Sequence, residues 1–152
     1  MQTVSVPGTR LALCLLLLRL AVALVLGMWV LNKFLNPGGT SAVLQIYYGL
    51  PGIAEALSYL LGALQAIVVL AFLTGFQKRW ATALVFLMHL VSSLSPISNY
   101  LDPWTPPNLL FFAAWPMLAA IATIYLLRDF DTLLSLQPRR GRHGPTWQEA
   151  KS

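Results

Sequence analysis

Apolar residues fall in four long runs, at 11–31, 53–75, 80–97 and 108–127, each interrupted by few polar positions. A helix rises about 1.5 Å per residue, so a run of ~20 residues crosses the ~30 Å hydrocarbon core of a bilayer. The pattern predicts an all-α polytopic membrane domain over 11–127, a bundle of four spans. Polar punctuation supports these limits. Asn36-Pro37-Gly38-Gly39 stops the first run. The short bridge Phe76-Gln77-Lys78-Arg79 makes the second and third runs antiparallel neighbours. Residues 42–48 are apolar but too short to cross. They read as a short interfacial helix in the first outer loop, capped by Thr40 or Ser41 and anchored by Tyr47 and Tyr48. Pro116 falls inside the fourth run, where a kink is expected. Beyond Arg128 the helix is expected to continue to about residue 136. Residues 1–10 form a short cytoplasmic N-terminus, and 128–152 a basic cytoplasmic tail expected to be largely disordered.

Composition agrees. The chain is 57% hydrophobic and only 10% charged, where a soluble domain carries about a quarter charged residues. The net charge of +5 raises the question of nucleic acid. The basic residues flank apolar runs instead of forming a stripe with interleaved aromatics, so the bilayer is the expected partner and nucleic acid is not. Arg10, Lys78, Arg79, Arg128, Arg139, Arg140, Arg142 and Lys151 fall on one side, and Lys33 alone on the other. The positive-inside rule then puts both termini in the cytoplasm of a plasma-membrane protein. Cys14 is the one cysteine, which excludes an internal disulfide or a CxxC pair. Leu11-Ala12-Leu13-Cys14 resembles a lipoprotein cleavage box only faintly, because Leu13 is too large. The run reads as a retained span and not as a signal peptide.

Arg19 stands well inside the first run, where a charge costs at least ~2.5–3.5 kcal/mol against lipid. It needs a partner from another helix. Counted from the cytoplasmic ends, Arg19, Gln65 and His89 all lie about 12–15 Å deep. They form an expected inner polar layer, with Arg19 donating to Gln65, to His89 or to carbonyls freed near Pro116. No Asp or Glu lies at that level on the four spans. Arg19 is thus expected to remain a cation without a carboxylate, able to attract an anionic or carbonyl-bearing ligand. Lys33 and Glu55 form an expected outer pair, which Asn32, Tyr59 and Asp102 can join. Each group also has a plainer reading. Arg19 can fix helix packing, Gln65 and His89 can bond neighbouring helices, and an exposed Lys33–Glu55 pair contributes under ~1 kcal/mol. One histidine in the spans makes no metal or haem site, and no catalytic residue can be named.

Three local patterns resemble the DoxX family of small bacterial four-span membrane proteins. They are Leu18-Arg19-Leu20, the exit Asn32-Lys33-Phe34 to Pro37, and Gln65 followed by Gly75 and Lys78-Arg79. The resemblance covers about 11–127 and not the tail. It implies a four-helix plasma-membrane bundle tied to redox systems, quinone-linked or in oxidative-stress defence. It also implies other membrane or soluble redox subunits as partners, and Arg19, Lys33 and Gln65 as the matching polar positions. A quinone head would be the ligand of the Arg19 layer. The family usually carries glutamate where Gln65 stands, so a proton-coupled role is in doubt. A path for small solutes or anions lined by Arg19, His89 and Lys33, and a non-catalytic membrane assembly factor, are the alternatives.

Overall fold

The computed structural model describes residues 7–50 and 55–136, the side chain of Glu55 excepted. Among these residues the chain is all-helical: α1 (Gly8–Leu35), α2 (Pro37–Tyr48), α3 (Glu55–Leu73), α4 (Lys78–Leu94), α5 (Ile97–Tyr100), a 3₁₀ segment (Asn108–Ala113) and α6 (Ala114–Leu126). Gly8–Leu35, Ala56–Leu73 and Asn108–Leu126 are long and apolar enough to cross a membrane. The α4 helix, at 17 residues, is shorter.

The α1 helix organises the packing. Its buried residues are Ala12, Leu15, Arg19, Val22, Ala23, Leu26 and Val30, mostly three or four apart and so on one face. Leu13, Leu17, Leu20, Leu24, Met28 and Leu31 are exposed. Large apolar side chains left on the outside of a long apolar helix are what lipid solvation permits. The buried face of α1 packs against α3 and α6, and α4 packs against the same two helices. Leu15, Val22 and Leu26 meet Val69 and Phe72 of α3, Val85 of α4, and Ile121 and Ile124 of α6 in one core. Gly62 sets the closeness of α1 and α3. A Cβ there would sit 3.0 Å from the Phe34 ring and 3.2 Å from the Lys33 Cβ.

Several boundaries differ from expectation, for local reasons. The α1 helix has 28 residues, about 42 Å, and so exceeds the hydrocarbon core by ~12 Å. The short outer helix starts at Pro37, not at 42. Asn36 caps it, its side chain accepting from the Gly39 N–H at 3.0 Å, and Pro37 fills the first turn where no N–H is needed. Asn36-Pro37 therefore ends one helix and begins the next. Gly49, at φ 65°, closes α2. Pro116 makes no mid-span kink. It is the third residue of α6, where a missing N–H costs little, and the irregularity is the 3₁₀ segment before it.

The helix does not continue past Arg128 to 136. It ends at Leu126, and the chain turns back across the end of the molecule that holds Lys78. Residues 128–136, expected as the start of a loose tail, fold back with Asp131 only 2% exposed, while Phe130, Leu134 and Leu136 stay exposed. The rest of the expected tail lies outside the described residues.

Candidate functional site

The polar residues form two groups at opposite ends of the helices. The first is built on Arg19, which is 1% exposed. Its Nη1 donates to Asp131 Oδ2 at 2.8 Å. Its Nη2 donates to the Leu133 carbonyl at 2.6 Å and the Leu134 carbonyl at 3.0 Å. Leu134 has a left-handed φ of 47°, a cost of ~1 kcal/mol that bends the chain until both carbonyls face the guanidinium. Lys78 Nζ donates to the Asp131 carbonyl. Burial pushes the Asp131 carboxyl above the usual carboxylate range, while the Arg19 and Lys78 charges beside it act in the opposite direction.

The end of α3 is shaped to receive this strap. Phe76 N–H bonds the Ala71 carbonyl at 2.9 Å, with Gly75 at φ 64°, a glycine-terminated helix end. It turns the next carbonyls outward. The Leu136 N–H then donates to the Thr74 carbonyl at 2.9 Å, and Ser135 Oγ to the Gly75 carbonyl at 3.4 Å. A Cβ at Gly75 would come within 2.7 Å of Ser135 Oγ and 2.8 Å of Arg19 Nη1. Gly75 is thus required both by its backbone and by the strap's approach.

The expected inner layer of Arg19, Gln65 and His89 is therefore not formed. Arg19 has a carboxylate after all, and it comes from beyond the last span. The chain after α6 explains how: it turns back and brings Asp131 and the Leu133 and Leu134 carbonyls to the Arg19 guanidinium.

The second group lines a partly open cavity of about 670 Å³ between α1, α2, α3, α4, α5, the 3₁₀ segment and α6. Its walls are mostly apolar, with Leu26, Val30 and Met117 among them. Asn32, Lys33, Gln65, His89 and the rings of Tyr47, Tyr48 and Tyr100 supply the polar edge. Gln65 and His89 are thus brought together, with Lys33 and without Arg19. Lys33 Nζ turns back to its own helix, donating to the Trp29 carbonyl at 3.3 Å. The side chain of Glu55, expected as the partner of Lys33, lies outside the described residues. Tyr59 stacks obliquely on Phe34, ring centres 6.1 Å apart. Asp102 gives only its backbone carbonyl to Asn108, at 2.8 Å.

His89 reaches the carbonyl that Arg19 was expected to find. Its Nε2 lies 3.2 Å from the Ala114 carbonyl oxygen. A carbonyl only accepts, so Nε2 carries the proton and Nδ1 of the neutral ring is an acceptor. Tyr100 similarly donates to the Phe111 carbonyl at 3.1 Å. These two side chains serve the backbone where 3₁₀ gives way to α. The Gln65 and Asn32 amides line the cavity without a hydrogen bond to another described residue. The α2 helix covers the cavity. Ser58 Oγ ties to the Pro37 carbonyl at 3.3 Å, and Tyr48 Oη to Ser92 Oγ at 3.5 Å.

Asp131 in the first group is not singled out by the sequence, while Gly75, Lys78, Tyr47 and Tyr48 are marked there only as pattern or anchor positions and not as parts of a site. For Asp131 a signal existed. With only five acidic residues in the chain, every one is a candidate counter-ion for a buried arginine. No group of His, Cys, Asp and Glu among the described residues is arranged to hold a metal. No protein-family model matches this chain, and no curated protein or solved structure matches it either.

Proposed function

We propose that this chain is a DoxX-like plasma-membrane protein with four spans and cytoplasmic termini, a membrane subunit of a redox system whose cavity holds a quinone. The distribution of Lys and Arg supports the orientation. One observation carries the ligand. A largely apolar cavity of about 670 Å³ presents two unpartnered amides, Gln65 and Asn32, beside His89 and aromatic rings. That volume is in the range of small-molecule sites. Amide N–H groups and the Lys33 ammonium donate to quinone carbonyls, the Tyr47 and Tyr100 rings flank a flat head, and the apolar wall takes a prenyl tail. Arg19 has no part in this site, since Asp131 already neutralises it. A permeation path through Arg19, His89 and Lys33 loses its first member for the same reason.

The test is a titration of the full-length protein in nanodiscs with a short-chain quinone analogue. Saturable binding is expected, weakened at least about tenfold in Asn32→Leu/Gln65→Leu, the equivalent of one or two lost hydrogen bonds. Uptake no greater than into empty nanodiscs overturns the quinone reading and leaves the assembly-factor alternative.

A further inference from the structure

We propose that a groove between α4 and α6, away from the cavity, is a binding site for one anionic glycerophospholipid. Its floor is Ala83 and Phe86 on α4 and Ala122, Tyr125 and Leu126 on α6, an open trough of about 280 Å³. Ala83 and Ala122 are small, so the helices leave a trough between the larger Phe86 and Tyr125. An acyl chain fills such a trough without opening it.

Charge identifies the rest of the molecule. Arg79 lies one turn before Ala83 on α4, and Arg128 lies just beyond Tyr125 and the end of α6, so each of the two elements that form the groove carries an arginine where α4 begins and α6 finishes. Both are held by aromatic rings. The Arg79 guanidinium lies 5.7 Å from the Trp80 ring centre, and that of Arg128 lies 4.9 Å from the Tyr125 ring centre. Arg128 Nη1 also donates to the Tyr125 carbonyl at 2.8 Å. Neither arginine has an acidic partner, since the ion pair among the described residues is Arg19–Asp131. Two oriented guanidiniums at the mouth of an apolar trough suit a phosphate with a hydrocarbon chain. Trp80, 63% exposed, belongs at the headgroup level. The inference requires only that these helices meet lipid, and it is independent of what the cavity binds.

Trp80 also supplies the readout. In full-length protein with the other tryptophans replaced by phenylalanine, Trp80 fluorescence is titrated with brominated phosphatidylglycerol and brominated phosphatidylcholine. Phosphatidylglycerol is expected to quench at concentrations about tenfold lower. Arg79→Gln/Arg128→Gln should abolish that preference, and Arg10→Gln, at the start of α1, should keep it. Ala122→Phe, which fills the trough, should weaken quenching by both lipids. Should the double variant lose its helical circular dichroism, Arg79→Gln alone provides the comparison. Equal quenching by the two lipids overturns the proposal, as does a preference that survives loss of both arginines. Full competition by glycerol 1-phosphate also overturns it, because the trough would then contribute nothing.

Discussion

The two polar groups of this protein solve opposite problems. At one end a full positive charge is buried, and the chain spends Asp131, two carbonyls and a bent backbone to match it. At the other end the residues are weaker hydrogen-bonders, yet Gln65 and Asn32 face a cavity without a protein partner. The more conspicuous residue is the one whose charge already has a partner, although Arg19 Nε and Asp131 Oδ1 are buried without a hydrogen bond. A buried charge must be neutralised within the fold for the fold to exist, whereas a neutral amide tolerates waiting for a ligand. In a membrane protein an intramembrane arginine is a functional candidate by default, and here the fold itself is the ligand.

Breaking the first group should have the largest effect. Arg19→Met leaves Asp131 buried with only Lys78 nearby, and a loss of about 3 kcal/mol is expected, read by thermal or denaturant unfolding in detergent. Quinone-analogue binding by the fraction that remains folded should be unchanged. Gly75→Ala should cost about 1–2 kcal/mol in the same assay, through its left-handed backbone and a Cβ that meets Ser135 and Arg19. Asn36→Ala should cost about 1 kcal/mol by removing the cap of α2. Because α2 covers the cavity, it should also speed ligand release, seen in stopped-flow dissociation. Gln65→Leu, which breaks no hydrogen bond within the described residues, should change stability least while weakening quinone binding, which separates the second group from the first.

How much of this was legible in the sequence follows from which interactions are periodic. The apolar runs and the buried face of α1, Arg19 included, depend on spacings of three and four and could be read directly. The tight connection before Trp80 and the existence of a short outer helix were equally plain. The start of that helix is harder to read because Asn36-Pro37 serves both as the stop of one helix and, with Asn as cap and Pro in the first turn, as the start of the next. The partner of Arg19 was missed for a different reason. Asp131-Thr132-Leu133-Leu134-Ser135-Leu136 is apolar enough to pass for more helix, and a search confined to the spans could not find a strap that returns from beyond them. Nothing periodic marks such a strap. Its traces are Gly75, which accommodates it, and a scarce acid that answers a buried base. Gln65 and His89 are recognisable as a pair, and their separation from Arg19 is not, because a count of depth along the spans says nothing of a segment that returns from beyond them.

A double-mutant cycle on Arg19 and Asp131 puts the contrast to its most direct test. Unfolding free energies are measured for the wild type, Arg19→Met, Asp131→Leu and the double variant. If these two residues complete each other, the double variant should be more stable than the sum of the single losses implies, with a coupling of about 1–3 kcal/mol. Additive losses, with no coupling beyond about 0.5 kcal/mol, would contradict the pairing and return Arg19 to the search for a ligand.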